Sequence, residues 1–288
     1  MSAMAEAELA GVEASAWLEA CRRITAAQRE LFARTTGIAA RTVYSGVGAG
    51  GDRSLVIDRE AEDVVFAELA ELHEAGAEFT AISEERGEVV FGDRGSPWRV
   101  VIDPIDGSLN ARRTIPSFAL SVAVASGPSM ADVELGFVHD FGAEEEFSAR
   151  RGEGSRLDGS ELRAEGPGYG LELVGLEATK PELIIPLLER LRGKAFRIRG
   201  IGSLAITLCY VAAGRLDGMI GARACRSVDV AAAQLIAREA GASVEFAGLE
   251  LSEAGLDLDQ RYEIAAGLDE ELLGTLIAAQ RGAPVPAE

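Results

Sequence analysis

Cysteine is scarce in this sequence and is not arranged in pairs. The three cysteines, Cys21, Cys209 and Cys225, lie far apart and form no CxxC motif. This spacing indicates neither a disulfide framework nor a cysteine-ligated zinc cluster. The acidic first residues, MSAMAEAELAG, also lack the basic segment that opens a signal peptide. We therefore expect a protein of the reducing cytoplasm.

Long apolar runs are absent as well. The strongest one, residues 118–125, is far shorter than the roughly 20 residues that span a bilayer, so we interpret it as a buried strand. Hydrophobic residues make up 48% of the chain and charged residues 26%, which is the mixture of an ordinary globular protein. The length of 288 residues fits one large domain or two packed ones. We expect no membrane partner.

Positive charge is in short supply. Lysine and arginine together number 28 against 47 aspartates and glutamates, which gives a formal net charge of −19. Nucleic acids and anionic membranes are bound through basic surfaces, so we expect neither as a partner. The same charge would repel a phosphate-bearing substrate unless divalent cations lie between protein and ligand.

The first half of the chain mixes helix-like and strand-like patterns in an irregular order. Residues 4–36 have apolar positions at helical spacing and predict one long or two shorter helices. A glycine-rich segment follows at 46–51, and Asp58 then precedes a further predicted helix. An antiparallel meander of strands is predicted at 99–102, 117–126, 133–139 and 144–149.

From residue 171 onward, strand-like and helix-like segments alternate regularly. The predicted strands are 171–176, 195–199, 216–220, 242–246 and 262–266. The predicted helices are 181–192, 203–213, 229–240 and 269–280. This alternation indicates an α/β half after an α+β half, so the predicted fold class is α/β. We place the division into subdomains, 1–160 and 161–288, within the stretch 150–170, which is rich in glycine and charge.

The most informative segment has the sequence WRVVIDPIDGSLN. A β-rich run leads to Asp103, and Asp106 follows after a proline turn. Two carboxylates three residues apart on a turn can converge on one Mg²⁺, with the Ile105 carbonyl oxygen as a further ligand. The amides of Gly107 and Ser108 could bind phosphate if a helix begins there. The alternative is a turn that uses Asp and Gly only for local hydrogen bonds.

Other acidic residues occur where they could complete such a site. Glu84 and Glu85 end an apolar stretch, Asp229 starts a predicted helix, and Asp58 precedes another. Taken singly, the glutamates are explained by a solvated loop and the aspartates by helix N-caps. Converging carboxylates repel one another without a cation. Folding alone does not require such a set, so together the residues favour a metal site.

Two segments resemble a known family. WRVVIDPIDGS resembles the first signature of the inositol monophosphatase superfamily, and VDVAAAQLIAREAGA resembles the second. The resemblance covers residues 5–280 and is greatest to archaeal and bacterial members that also accept fructose 1,6-bisphosphate. It implies a layered αβαβα sandwich and a homodimer. It also implies hydrolysis of phosphomonoesters with two or three Mg²⁺ per active site, and inhibition by Li⁺.

The resemblance also implies roles for particular residues. Ser108 stands where the family usually has Thr, whose hydroxyl orients the attacking water together with the glutamate. The implied catalytic residues are thus Glu84, Ser108 and Asp58, and the phosphate-binding residues are Gly107 and Ser108. The implied ligands are Glu84, Asp103 and the Ile105 carbonyl for a first metal, Asp103, Asp106 and Asp229 for a second, and Glu84 and Asp58 for a third.

The substrate side departs from the inositol-specific pattern. Those members have a glutamate about seven residues before the metal-binding aspartate, where this chain has Ala222. Arg223 and Arg226 nearby could instead meet a second phosphate of the substrate, and the alternative is an exposed arginine pair that balances an acidic surface. Ser203 matches a segment that lines the far side of the substrate in the family, so we expect a substrate contact there.

The sequence therefore predicts a Mg²⁺-dependent phosphatase of a small polyol or sugar phosphate. The expected substrates are inositol 1-phosphate, fructose 1,6-bisphosphate or both, attacked by a metal-activated water. One alternative is a 3′(2′),5′-bisphosphate nucleotidase, although no aromatic platform for an adenine accompanies the motifs. A second alternative is a non-catalytic metal-binding scaffold, against which the complete set of acidic residues argues.

Overall fold

The computed structural model describes residues 8–47, 53–177 and 180–282, so residues 48–51 of the glycine-rich segment lie outside the described residues. Its helices are α1 (Ala14–Arg34), α2 (Ile38–Arg41), α3 (Val56–Glu74), α4 (Ser108–Arg112), α5 (Pro181–Leu191), α6 (Leu204–Ala212), α7 (Ser227–Glu239) and α8 (Glu270–Arg281). Its first strands are β1 (Glu8–Leu9), β2 (Val12–Glu13), β3 (Tyr44–Val47), β4 (Arg53–Leu55), β5 (Phe79–Ser83), β6 (Gly87–Phe91), β7 (Arg99–Asp106), β8 (Ala119–Ala125) and β9 (Val133–Asp140). The remaining strands are β10 (Glu145–Arg150), β11 (Gly154–Leu157), β12 (Ser160–Leu162), β13 (Leu171–Glu177), β14 (Ala195–Arg199), β15 (Gly218–Gly221), β16 (Ser243–Phe246) and β17 (Ile264–Gly267).

Eight of these strands form one sheet in the order β12-β11-β10-β9-β8-β7-β5-β6. Neighbours from β7 to β12 are antiparallel, which confirms the predicted meander, whereas β5 runs parallel to β7. Every residue of β8, and every residue of β7 after Arg99, is buried. Such continuous burial requires cover on both faces of the sheet, and helices supply it.

Helices α1 and α3 cover the outer face of this sheet. The apolar face of α1 buries Trp17, Ile24 and Leu31, as its periodicity predicts, and the Trp17 ring meets Phe79 of β5 edge-on at 5.3 Å. The prediction of helix before residue 14 is wrong. Residues 8–13 form the short hairpin β1–β2 instead, because Gly11 at φ 100° closes a turn that a continuous helix would not allow.

Helices α6 and α7 lie between the first sheet and a second one. The second sheet has the order β14-β13-β15-β17-β16, in which β13 is parallel to both of its neighbours and β17 is antiparallel to both of its own. Helices α5 and α8 cover its outer face. The layers therefore run helix, sheet, helix, sheet, helix. This arrangement confirms both the predicted α/β class and the αβαβα sandwich.

The chain passes from the first sheet to the second through residues 163–170. The division into subdomains 1–160 and 161–288 stays a proposal, and its boundary falls inside β12 of the first sheet. Among the residues that the structure describes, none of the helices combines the length and the apolar composition needed to cross a membrane.

Candidate active site

Asp103 and Asp106 lie at the buried end of β7, where its pairing with β8 is irregular. Asp103 pairs with Ser121 and Asp106 with Ala119, so β7 contains one residue more than β8 over this step. In a regular strand, residues three apart point to opposite faces. A bulge of one extra residue brings them to the same face. One carboxylate oxygen from each aspartate and one from Asp229 lie within 4.8 Å of one another.

Hydrogen bonds from several elements hold these two aspartates in place. The Ile105 amide donates to Asp103 Oδ1 at 2.9 Å, which tightens the turn between the carboxylates. Below the turn, the buried Gln28 of α1 donates to the Pro104 carbonyl at 3.2 Å. Asp106 Oδ2 accepts hydrogen bonds from the Ala205 amide at 2.7 Å and from the Ser203 hydroxyl. The first turn of α6 therefore orients Asp106.

Asp229 and Asp58 occupy equivalent places on two different helices. Each is the third residue of its helix and accepts a hydrogen bond from the backbone amide three residues earlier, from Arg226 at 2.8 Å and from Leu55 at 3.0 Å. A carboxylate is favoured there because the first turn presents unpaired N–H groups and the positive end of the helix dipole. The interpretation of both aspartates as N-caps is wrong, because Leu55 and Arg226 hold those positions and the aspartates lie in the first turn. Each still directs its carboxylate to the acidic site.

Glu84 and Glu85 follow the end of β5 in the turn to β6. Glu84 Oε1 accepts a hydrogen bond from Arg226 Nη1, and within the described part of the chain the buried Glu85 Oε2 has no hydrogen-bond partner. A cavity of about 140 Å³ opens between these elements. Its lining residues are Asp58, Glu84, Glu85, Asp103, Pro104, Ile105 and Ser108.

The proximity of these carboxylates changes their acidity. Burial, and then the charges of Asp106, Glu84 and Asp229, raise the pKa of Asp103 well above its usual value. Burial also raises the pKa of Asp106 and of Asp229 to about 6. Burial likewise raises the pKa of Asp58 to about 6, although the hydrogen bond from the Leu55 amide acts in the opposite direction.

This set of groups fits a hard divalent cation. All the converging donors are oxygens, which Mg²⁺ prefers. Burial is the largest cause of their raised pKa values, and the charges of neighbouring carboxylates add to it at Asp103 and Asp229. The unpaired buried oxygen of Glu85 is a further acceptor facing the same region.

The turn after Asp106 leads directly into α4. Gly107 has φ 90°, and a Cβ there would lie 3.0 Å from the carbonyl oxygens of Gly202 and Ser117. Only glycine fits this backbone without a shift. A helix does begin at Ser108, and that residue lines the cavity, so the condition for the predicted phosphate contacts of Gly107 and Ser108 is met.

Two supporting residues were not identified from the sequence. Glu177, which is 2% exposed at the end of β13, accepts hydrogen bonds from the amides of Ile201 and Gly202 at 2.9 Å and from the Thr207 hydroxyl at 2.8 Å. Asn110 of α4 donates to the Ile201 carbonyl at 2.8 Å. Together they fix the segment that leads to Ser203 and Asp106. The available signal for Glu177 was an acidic residue at the end of an apolar strand, as Asp106 is in β7.

The predicted substrate-side residues take different places. The Ser203 side chain is buried, caps α6 and donates to Asp106, so here it orients a carboxylate. Arg226 donates to Glu84, while Arg223 is exposed at the surface. A substrate contact by any of the three stays a prediction.

Comparison with known proteins identifies similar sequences and structures. The sequence profile described as the inositol monophosphatase family matches residues 16–284. A fructose-1,6-bisphosphatase/inositol-1-monophosphatase from Thermococcus kodakarensis is 32% identical over 240 residues, covering 83% of this chain and 87% of the relative. The Nus factor SuhB of Vibrio cholerae is 34% identical over 200 residues, covering 67% and 71%. A solved inositol monophosphatase–fructose 1,6-bisphosphatase superposes with a TM-score of 0.79 at 27% identity, covering 91% of this chain and 99% of that one.

Proposed function

This chain belongs to the inositol monophosphatase family and is a phosphatase, and we propose that it hydrolyses inositol 1-phosphate and fructose 1,6-bisphosphate with Mg²⁺. The observation that carries the proposal is the convergence of Asp103, Asp106 and Asp229 within 4.8 Å beside the cavity. Relatives named for both activities support the choice of substrates. The Mg²⁺ ions also explain how a chain with a net charge of −19 accepts an anionic ester.

The metal ligands in this proposal come from both halves of the chain. When bound, Mg²⁺ would lower the pKa of a water molecule and neutralise charge on the phosphoryl group. Two or three ions per active site are proposed. The residues that would hold them are Glu84, Asp103 and the Ile105 carbonyl for the first, Asp103, Asp106 and Asp229 for the second, and Glu84 with Asp58 for the third.

The chain's own groups would bind and orient the reactants. The amides of Gly107 and Ser108, at the start of α4, would hold the phosphate oxygens. Ser108 and Glu84 line the cavity, where the hydroxyl and the carboxylate would orient the attacking water. Orientation of reactants contributes much of the rate enhancement when no covalent intermediate forms.

The sugar end of the substrate would lie toward the start of α7. Arg223 is exposed there, close enough to lower the pKa of Asp229 against the larger effects of burial and Asp106. A guanidinium can bind a second phosphate through two hydrogen bonds. Arg223→Ala should therefore slow hydrolysis of fructose 1,6-bisphosphate more than that of inositol 1-phosphate. An equal loss on both substrates would contradict this role.

The proposal includes a cytoplasmic homodimer that Li⁺ inhibits and that binds no nucleic acid. The resemblance supports the dimer and the inhibition by Li⁺. The net charge of −19 supports the lack of nucleic-acid binding, and three free, buried cysteines are typical of a reducing compartment. Size-exclusion chromatography with light scattering would test the dimer by measuring the molar mass of the protein in solution.

Phosphate release tests the proposed activity. Inositol 1-phosphate, fructose 1,6-bisphosphate and adenosine 3′,5′-bisphosphate would each be incubated with the protein, with Mg²⁺ or with EDTA. We expect Mg²⁺-dependent release from the first two, and none from the Asp103→Asn variant. Release from the nucleotide alone would favour the nucleotidase alternative, and release in EDTA would contradict the metal site.

A further inference from the structure

Arg226 is a cation inside the cluster of carboxylates. Its Nη1 donates to Glu84 Oε1, while its backbone amide donates to Asp229 Oδ2 at 2.8 Å. The two side chains of the ion pair are only 14% and 25% exposed, and the residues lie 142 positions apart in sequence. Arg226 thus joins the turn after β5 to the start of α7 across the site.

The charge of Arg226 matters because Glu84 and Asp229, which it contacts, are both acidic. Burial and Asp106 raise the pKa of Asp229, and the charges of Arg226 and Arg223 act in the opposite direction. Arg223 is exposed, whereas the Arg226 side chain is largely buried. A partly buried ion pair is screened less than a surface one. The guanidinium therefore offsets repulsion among the carboxylates when no metal is present.

The same contact competes with a metal ion for Glu84. Mg²⁺ needs its oxygen ligands at about 2.1 Å in a nearly octahedral arrangement. A guanidinium hydrogen-bonded to the same carboxylate would place a positive charge against the dication. Binding of a metal ion through Oε1 of Glu84 therefore requires the ion pair to separate.

We propose that Arg226 is an internal counter-cation, which pairs with Oε1 of Glu84 in the metal-free protein and must release that oxygen before it can bind a metal ion. The inference rests on the proposed metal site. Two consequences follow. Arg226 stabilises the metal-free protein, and it weakens metal binding by the cost of breaking the pair.

Metal binding without substrate tests the first part of this competition. Mn²⁺ also binds carboxylate oxygens, and its free concentration can be followed by electron paramagnetic resonance. We expect Arg226→Gln to bind Mn²⁺ about five- to tenfold more tightly than the wild type. Arg223→Gln, which removes an equal charge that acts on Asp229, is the matched control and should change the Kd much less. Equal tightening in both variants would overturn the proposal, because general electrostatics would then explain it.

A double-mutant cycle tests whether the effect acts through Glu84. In the Glu84→Gln background, Arg226→Gln should tighten Mn²⁺ binding far less than it does in the wild type. In EDTA, Arg226→Gln should lower the Tm, and Glu84→Gln/Arg226→Gln should regain part of that loss. The double variant removes both charges together, so its Kd and Tm can still be compared with those of Glu84→Gln if the Arg226→Gln variant does not fold. Additive effects on both Kd and Tm would overturn the pairing.

The outcomes separate this inference from the proposed function. If the wild type binds Mn²⁺ and Arg226→Gln binds it no more tightly, only the counter-cation role is wrong. If the wild type binds no Mn²⁺ at millimolar concentration, the metal site itself is wrong, and the inference is overturned with it.

Discussion

Asp103 shows why the acidic residues of this site conflict with folding. It lies at the end of a fully buried strand, 6% exposed, beside Asp106 and Asp229. A carboxylate in such surroundings is costly in its charged form because it loses hydration and meets like charges. Function thus explains its presence better than stability does, and the two can be separated by substitution.

We predict that Asp103→Asn abolishes catalysis without destabilising the metal-free protein. The amide oxygen of asparagine can still accept the hydrogen bond from the Ile105 amide, while the charge that a metal ion needs is lost. Phosphate release should fall by about a hundredfold or more. Ordinary turnover in this variant would contradict the metal assignment.

The pH dependence of stability gives the same variant a second test. Burial and its acidic neighbours raise the pKa of Asp103 in the folded state, so the stability it contributes is present at low pH and is lost as the pH rises through that raised pKa. In EDTA, the advantage of Asp103→Asn in the free energy of unfolding should therefore grow from pH 5 to pH 8, on the order of 1 kcal/mol. Urea unfolding would measure it, with the exposed Glu172→Gln as control. A constant difference would contradict the raised pKa.

Glu177 contributes through the segment that it holds. We predict that Glu177→Gln lowers stability by about 1–3 kcal/mol, because the amide nitrogen of glutamine would face an N–H donor of residue 201 or 202. Turnover should fall as well, since Ser203 and Ala205 next along the chain orient Asp106. Thr207→Val removes a single donor to Glu177 and should cost less. If Glu177→Gln has the stability and the turnover of the wild type, Glu177 does not position this segment.

At the scale of elements, the apolar patterns predicted most of the architecture. Strand β14 and helix α5 lie within one residue of their predicted bounds, because one face of each element is apolar and the period of that face is local information. The hairpin at 8–13 was missed because its apolar residues also fit a helical period. Local strand pairing across the turn at Gly11 overrode that pattern.

The site was predictable to a smaller extent. The motif at Asp103 and Asp106 and the acidic residue at 229 were visible in the sequence, and the structure brings their carboxylates together. The bulge that makes this possible depends on pairing with β8. The Arg226–Glu84 pair joins residues 142 positions apart. Contacts of this kind depend on topology, which no local pattern contains.

Gly107 links a backbone conformation to the position of a whole element, α4. We predict that Gly107→Ala costs about 2–4 kcal/mol, because a Cβ would meet two carbonyl oxygens at 3.0 Å in addition to the positive φ. Gly193 has a similar φ of 77°, with nothing within 4 Å of a Cβ, so Gly193→Ala should cost only about 1 kcal/mol. Urea unfolding and phosphate release would be measured for both. We expect only Gly107→Ala to lose activity, and equal costs would contradict the close packing.

At the scale of the whole molecule, the acidic site lies where the first sheet meets the middle layer of helices. Asp103 and Asp106 come from the first sheet and Glu84 from the turn after its strand β5, whereas Asp229 comes from a helix of the middle layer. A cation bound by this set would join the layers as well as serve catalysis. Any ligand that binds only the folded state stabilises it according to its concentration relative to Kd.

Mg²⁺ should therefore raise the Tm, and more strongly at pH 8 than at pH 5. The pKa values of Asp58, Asp106 and Asp229 are raised to about 6, so in the metal-free protein the stability that these groups contribute is lost as the pH rises through about 6. At pH 5 a metal ion must displace their protons, whereas at pH 8 it meets charged carboxylates and relieves their repulsion. At a Mg²⁺ concentration one hundred times Kd, the gain is about 2.7 kcal/mol. Thermal unfolding at both pH values, with NaCl at matched ionic strength as control, would measure the difference. An equal rise in Tm at the two pH values, or an equal rise with NaCl, would contradict a site made of these carboxylates.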